Sequence, residues 1–232
     1  MYHRRLSLDT APDFIVIANG EFPTLELLHK ILQRAYDKGT VVCCDGAVHK
    51  ILKAGFPMPH LIVGDLDSLA QEWKDMHRDI LIEIKEQDTN DLSKTFRVIA
   101  ERYSPDRVLL LGATGLREDH MMGNISLLPT LQTFLSGETK ELITASNYGC
   151  FYVQCKDMRN TYESLPGQQI SLFAMAPGVK FDTEGLHWPL NESTLEELWM
   201  GTLNRAENDT FEVTATEGNA LVYIAHEVRQ PK

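Results

Sequence analysis

Leu61-Ile62-Val63-Gly64-Asp65-Leu66-Asp67-Ser68 is the stretch that decides the fold. A short apolar run, the outline of a buried strand, ends at Gly64 and then presents two carboxylates two residues apart, Asp65 and Asp67. Open α/β sheets bind ligands at the carboxyl ends of their strands. Carboxylates placed there, with no basic neighbour in sequence, repel one another unless a cation joins them. The natural cation is Mg²⁺, a hard ion that takes oxygen ligands and travels with substrate phosphates. The segment therefore points to metal-assisted phosphate chemistry.

Working outward, the same grammar repeats. Apolar runs at residues 14–18, 41–44, 61–63, 80–84, 108–111 and 142–144 alternate with amphipathic stretches, the pattern of βαβ units. Helices are expected over residues 24–36, 91–103 and 119–135. Thr24 is a plausible N-cap of the first, Gly39 lies just past its end, and Pro105 follows the second. Residues 1–145 thus read as an α/β domain, a mostly parallel sheet flanked by helices. After Ala145 the long helical periods stop. Strand-like pieces at 149–154, 169–174, 211–216 and 221–225 are punctuated by Pro166-Gly167, Pro177-Gly178, Glu184-Gly185 and Glu217-Gly218-Asn219, with one short helix expected over 193–199. Residues 146–232 read as a smaller all-β sandwich domain, with a partial barrel as the alternative.

The gross numbers narrow the partners. The 232 residues are 43% hydrophobic, enough for one or two domains with a real core. A net charge of −11 argues against broad nucleic-acid binding, which needs a basic face, and disfavours anionic membranes. No apolar run reaches the ~18 residues that span a bilayer. The start, Met1-Tyr2-His3-Arg4-Arg5, is basic, but no apolar stretch follows before Asp9, so no signal peptide is expected. Cys43, Cys44, Cys150 and Cys155 fit no zinc spacing and read as reduced thiols in a cytoplasmic protein.

Four loops carry the chemistry, each after an expected strand. They are Asp45-Gly46-Ala47; Gly64-Asp65-Leu66-Asp67-Ser68; Gln87-Asp88-Thr89-Asn90-Asp91, with Lys94 one turn beyond; and Gly112-Ala113-Thr114-Gly115-Leu116-Arg117-Glu118-Asp119-His120. Taken singly, each has an ordinary explanation. Asp88, Asn90 and Asp119 suit helix N-caps, the glycines suit turns, Asp91 and Lys94 suit a surface i,i+3 pair, and His120 suits a satisfied polar residue. Taken together they do not, because the ends of parallel strands share one edge of the sheet. Three or four carboxylates converging there would cost on the order of several kcal/mol in a low dielectric. Mg²⁺ offsets that repulsion. A triphosphate then needs only a few cations, for which Arg117 and Lys94 are candidates, and N–H donors from the fourth loop and the helix start near Asp119. No Walker loop and no dinucleotide fingerprint is present.

The ordered set Asp45-Gly46, Gly64-Asp65-x-Asp67-Ser68, Gln87-Asp88-x-x-Asp91-x-x-Lys94 and Gly112-x-x-Gly115-x-Arg117-x-Asp119-His120 resembles the thiamine pyrophosphokinase (thiamine diphosphokinase) family. The resemblance covers the whole chain. It continues through Gly185-Leu186-His187-Trp188-Pro189-Leu190 and Gly201-Thr202-Leu203-Asn204, which look like the family's thiamine-binding stretch. It implies an α/β domain followed by a β-sandwich, a homodimer, and transfer of an intact pyrophosphoryl group from ATP to the thiamine hydroxyl, giving AMP and thiamine diphosphate. Mg²⁺ and ATP would sit on the aspartate loops. Thiamine would lie at the dimer interface, between those loops and the β-domain of the other subunit.

Carried onto this sequence, the resemblance assigns Asp65, Asp67 and Asp88 to the metal and gives catalytic roles to Asp65, Asp67, Asp91 and Asp119. The ATP phosphates would meet Asp45, Gly46, Ser68, Lys94, Gly112, Thr114, Gly115, Arg117 and His120. Thiamine would meet Gln87, Asp119, Trp188, Thr202 and Asn204. Asp119 would orient the thiamine hydroxyl, and the Trp188 face would attract the thiazolium cation by roughly 0.5–2 kcal/mol. Two positions depart from the family pattern: Asn90 stands where threonine or serine is usual, and Thr202 where serine is usual. Two other readings compete. Residues 61–68 also resemble a haloacid-dehalogenase-type phosphatase signature, although Leu69 breaks it. The chain could also be a thiamine or nucleotide sensor without turnover.

Overall fold

The computed structural model describes residues 1–137 and 139–228. The chain forms two compact units. One is Ala11–Ser146; the other combines Met1–Thr10 with the chain from Asn147 onward. The division falls at 146/147 against the expected 145/146, and the first ten residues join the second unit, not the α/β unit. Strand β1 (Tyr2–His3) pairs in parallel with β9 (Arg159–Glu163), and the Met1 amino group donates to the Arg159 carbonyl and to Asn160 Oδ1.

The α/β unit runs β2 (Phe14–Ile17), α1 (Glu26–Lys38), β3 (Thr40–Cys44), α2 (Ala47–Lys53), β4 (Leu61–Gly64), α3 (Gln71–Met76), β5 (Leu81–Glu83), α4 (Asp91–Arg102), β6 (Arg107–Leu111), α5 (Glu118–Thr133) and β7 (Glu141–Ala145). Its strands lie in the order β7-β6-β2-β3-β4-β5, and every neighbouring pair is parallel. The apolar runs read from the sequence are these strands. Ile15, Val16, Ile17, Val41, Val42 and Ile62 are wholly buried, as strands covered on both faces require. From β2 the chain steps outward to β5, then returns past β2 to lay down β6 and β7. The order therefore reverses between β2 and β6, and in open α/β sheets that reversal opens a crevice at the carboxyl ends of the strands.

Helix starts differ in one instructive case. α4 begins as the sequence indicates: Asn90 Oδ1 accepts from the Ser93 N–H at 2.9 Å, and Leu92, Phe96 and Ile99 face the core. α1 starts later than expected. Its N-cap is Leu25, not Thr24, and carries no side-chain cap; His29 Nε2 instead bonds the Pro23 carbonyl at 2.6 Å. At its other end Gly39 is required by crowding, since a Cβ there would lie 2.0 Å from the Asp13 carbonyl oxygen.

The second unit contains β8 (Gly149–Gln154), β9, β10 (Gln168–Ala174), β11 (Lys180–Glu184), β12 (Ser193–Thr194), β13 (Asn204–Arg205), β14 (Thr210–Thr216) and β15 (Ala220–Val228). One layer is ordered β1-β9-β14-β11-β12; the other holds β13-β10-β15-β8. A ring cluster lies at its core. His3 stacks on Tyr162 at 4.6 Å, and Tyr162 on Phe211 at 5.2 Å. The Tyr162 hydroxyl donates to the buried Gln154 Oε1 at 2.9 Å. The helix expected over 193–199 is absent. Ser193 and Thr194 pair with β11, and only a 3₁₀ turn follows at Leu198–Gly201. No helix among the described residues is long and apolar enough to cross a membrane.

Candidate active site

A cleft of about 410 Å³ opens at the crevice between β2 and β6. One wall is the loop after β2, with Asn19 and Gly20. The other is the glycine loop after β6, with Gly115, Arg117 and then His120. The floor carries Asp65 from the end of β4, Gln87 from the loop after β5, and Asp91 and Lys94 from the first turn of α4.

The two walls are fastened together by backbone. Ala18 N–H donates to the Leu111 carbonyl at 2.8 Å, Gly20 N–H to Gly112 at 2.7 Å, and Glu21 N–H to Thr114 at 2.8 Å. This approach leaves no room for side chains. A Cβ on Gly112, where φ is +68°, would lie 2.4 Å from the Ala18 carbonyl oxygen, and one on Gly20 would lie 2.3 Å from the Gly112 oxygen. Asn124 of α5 reaches back to the Ala113 carbonyl at 2.9 Å and ties the glycine loop to its helix.

Asp91, at the start of α4, feels the carboxylates of two strand ends, Asp65 and Asp45. Burial pushes the Asp91 carboxyl above its ordinary range; Lys94 opposes this, while the negative charges of Asp65 and Asp45 add to it. Lys94 is itself almost wholly buried, with Nζ 3.6 Å from Asp91 Oδ1. Asp65 is held below the ordinary range, chiefly by the Asp67 N–H at 3.2 Å and then by the Gln87 amide at 3.2 Å. Asp45, at φ +38°, has a buried Oδ1 with no hydrogen-bond partner among the described residues.

The other expected residues fall into two groups. Asp67 and Asp88 are exposed and stand outside the cleft lining, their backbone N–H groups bonded to Asp65 and Glu86. Asp45, Gly46, Ser68, Gly112 and Thr114 are absent from the lining too: Gly46 and Gly112 are buried, Asp45 and Thr114 half-buried, and Ser68 exposed. Gly46 packs under Ser68, where a Cβ would sit 2.8 Å from Oγ. Asp119 is also outside the lining and is paired with Arg117, at 2.6 Å and 3.1 Å. The guanidinium holds the Asp119 carboxyl at about 2, so it is ionised at any ordinary pH and a poor proton acceptor.

The expected metal set, Asp65 with Asp67 and Asp88, is not gathered. Among the described residues no three His, Cys, Asp or Glu side chains form a ready metal cage. The donor chemistry still fits Mg²⁺, which keeps several waters and takes only one or two protein carboxylates, with substrate phosphates supplying the rest. Asp65 and Asp91 line the cleft, and the Asp45 carboxylate, outside the lining, adds its negative charge to the field at Asp91.

In the β unit, Trp188, Thr202 and Asn204 line a second cavity of about 290 Å³, with Leu172, Leu190 and Met200 as its apolar wall. Trp188 is 57% exposed. Asn204 grips its backbone: Oδ1 accepts from the Trp188 N–H at 3.2 Å and the Arg205 N–H at 2.8 Å, and Nδ2 donates to the Trp188 carbonyl at 2.7 Å. Both acceptor positions of Oδ1 are occupied and one Nδ2–H is left. The Arg205 guanidinium lies 5.8 Å from the Trp188 ring centroid and is steadied by His187, which bonds Glu207.

Sequence reasoning missed Asn19, Gly20, Asn124 and Lys50, whose Nζ donates to the Asn19 and Gly20 carbonyls. The only signal in the sequence was that Asn19-Gly20 follows an apolar run.

A cleft at the reversal of a parallel sheet, in a chain that also carries a β-sandwich, defines a two-domain α/β protein with a ligand cleft at its strand ends. The particular family follows from comparison. Residues 32–136 match the family description "Thiamin pyrophosphokinase, catalytic domain", and residues 149–223 match "Thiamin pyrophosphokinase, substrate-binding domain". The chain belongs to the thiamine pyrophosphokinase family. It is 28% identical over 225 residues to thiamine pyrophosphokinase 3 of Oryza sativa subsp. japonica, covering 84% of this chain and 82% of that protein. Its fold matches the thiamin pyrophosphokinase of Candida albicans with a TM-score of 0.77 at 14% identity, over 97% of this chain and 93% of the other. It matches the yeast enzyme with a TM-score of 0.69 at 17% identity, over 91% and 85%.

Proposed function

We propose that this protein transfers the pyrophosphoryl group of ATP to the hydroxyl of thiamine, releasing AMP and thiamine diphosphate, with Mg²⁺ bound alongside ATP. The observation that carries the reading is that Asp65, Asp91 and buried Lys94 line one cleft at the crevice between β2 and β6, with the Asp45 charge near enough to act on Asp91. Asp65 and Asp91 would hold Mg²⁺, with Asp67 and Asp88 on the adjoining loops within the same negative field. When bound, Mg²⁺ neutralises phosphate charge and draws its oxygens together.

Catalysis of phosphoryl transfer is mostly positioning and charge neutralisation. Lys94 compensates the floor carboxylates so that a triphosphate can approach. Arg117, at the cleft and the N-cap of α5, contacts the transferred group, and the helix start adds favourable potential for an anion. Arg117 pairs with Asp119 in this structure, so substrate competes for its donors. Asp119 accepts a hydrogen bond from the thiamine hydroxyl and orients it; its low pKa makes positioning its role and leaves the proton to solvent.

The second cavity takes thiamine, with Trp188 offering a ring face and Thr202 a hydroxyl. The protein acts as a homodimer with thiamine at the interface. Supporting this is a concentration of exposed apolar side chains on one stretch of the β unit: Leu198 at 58%, Trp199 at 68% and Leu203 at 61% exposed, beside Trp188. The buried thiols of Cys43, Cys44 and Cys150 support a reducing, cytoplasmic setting. The test is incubation of the purified protein with ATP, thiamine and Mg²⁺, with product followed chromatographically. Thiamine diphosphate forms and stops forming when EDTA is added; thiamine left unmodified at saturating ATP and Mg²⁺ refutes the proposal.

A further inference from the structure

Lys50 sits on α2, outside every motif that marks the site, and belongs to no ion pair among the described residues. Its Nζ donates to two successive carbonyls, Asn19 at 2.5 Å and Gly20 at 2.6 Å. Both residues line the cleft. The chain around them is fixed by three backbone bonds to the last residue of β6 and the loop that follows it. The Lys50 side chain holds it as well.

The arrangement has an electrostatic consequence. Backbone carbonyl oxygens carry partial negative charge, and two of them at the rim of a phosphate cleft would repel the ligand. Lys50 draws both oxygens toward itself and offsets their charge with a full positive one, within a chain of net charge −11. The ammonium is part-buried and desolvated, which lowers its pKa but strengthens its field. It also joins two strand ends, because α2 starts directly after Asp45 and Gly46 while its lysine grips the loop after β2. The Asn19 amide completes the junction, lying 3.3 Å from where a Gly46 Cβ would be.

We propose that Lys50 is a positioning residue for nucleotide: it sets the Asn19 and Gly20 wall of the cleft and supplies a positive charge behind it. The inference rests on the ATP-dependent function proposed above. It predicts that Lys50 governs affinity for the nucleotide and leaves affinity for thiamine alone.

The test uses the full chain and α,β-methylene-ATP with Mg²⁺, an analogue whose α–β bridge cannot be cleaved in pyrophosphoryl transfer. Calorimetric titration of Lys50→Met should show binding at least tenfold weaker than wild type. KM for ATP should rise in parallel, KM for thiamine should stay within twofold, and the thermal midpoint should move by less than about 4 °C. Lys50→Arg, which keeps charge and donors, should recover most of the affinity. Normal analogue binding by Lys50→Met overturns the inference, as does Lys50→Arg binding no better than Lys50→Met. A Lys50→Met chain that loses thermal stability while keeping its affinity also overturns it, in favour of a purely structural lysine. Wild-type protein that binds the analogue tightly but makes no thiamine diphosphate refutes the proposed function, while a Lys50-dependent affinity in that protein still upholds the positioning role. Wild-type protein that binds no analogue refutes both.

Discussion

Replacing Asn204 with alanine separates a residue that touches substrate from one that holds another residue in place. Asn204 is 8% exposed and makes three hydrogen bonds, two with the backbone of Trp188 and one with the Arg205 N–H. Each is worth about 0.5–1.5 kcal/mol net. The neighbouring Trp188 is open to water, which can replace lost partners, so the total falls at the low end, about 2 kcal/mol. For a chain of this length that lowers the thermal midpoint by about 4–8 °C. The functional cost comes through Trp188, whose ring is no longer fixed. If the ring contributes about 0.5–2 kcal/mol to holding a cation, KM for thiamine rises about 2- to 30-fold. A double-mutant cycle provides the assay. KM for thiamine is measured for Asn204→Ala, Trp188→Ala and the pair. Because Asn204 acts through Trp188, its removal should cost little more once Trp188 is gone. Penalties that add to within about 0.3–0.5 kcal/mol would refute this reasoning and return Asn204 to direct contact with thiamine.

Three further outcomes are expected. Asp65→Asn, at the cleft floor, should reduce turnover at least ~100-fold, about 2.7 kcal/mol, without unfolding the protein; near-normal turnover removes Asp65 from the metal. Arg117→Ala should raise the Asp119 carboxyl from about 2 toward its ordinary value near 3.9, measured by NMR titration of the side chain. Because the folded-state value is depressed, the Arg117–Asp119 pair stabilises the fold above about pH 4 and loses that effect as pH falls toward 2; an unmoved titration contradicts the pairing. His3→Ala should cost about 2–4 kcal/mol in urea unfolding, since the ring is 4% exposed and stacked on Tyr162; a loss below about 1 kcal/mol means β1 is dispensable to the β unit.

The strands of the α/β unit were legible because burial on both faces demands unbroken apolar runs, as in Val41-Val42-Cys43-Cys44. α2 and α3 were not, being seven and six residues long, and α3 buries no residue. β9 and β11 show only alternate inward positions. In β9 these are Asn160 and Tyr162, and in β11 Phe181 and Thr183, so half of each inward pair is polar and no apolar run forms. β1 is invisible in sequence because its partner lies more than 150 residues away. The candidate site divides along the same line. Asp65, Asp91 and Lys94 announce themselves as charged groups after apolar runs. Gly20 and Lys50 depend on strand order: the adjacency of β2 and β6 brings the Gly20 loop to the glycine loop, and that of β2 and β3 brings Lys50 on α2 to the same Gly20 loop. Thr24 misled for a related reason: a good capping residue was present, yet the chain enters α1 one residue later.

The central claim is that an intact pyrophosphoryl unit leaves ATP at the crevice between β2 and β6. Phosphorus-31 NMR of the protein with Mg²⁺, ATP and thiamine tests it directly. AMP and thiamine diphosphate accumulating in equal amounts, with no ADP, is the predicted result; ADP as the product, or inorganic phosphate released without thiamine diphosphate, contradicts it.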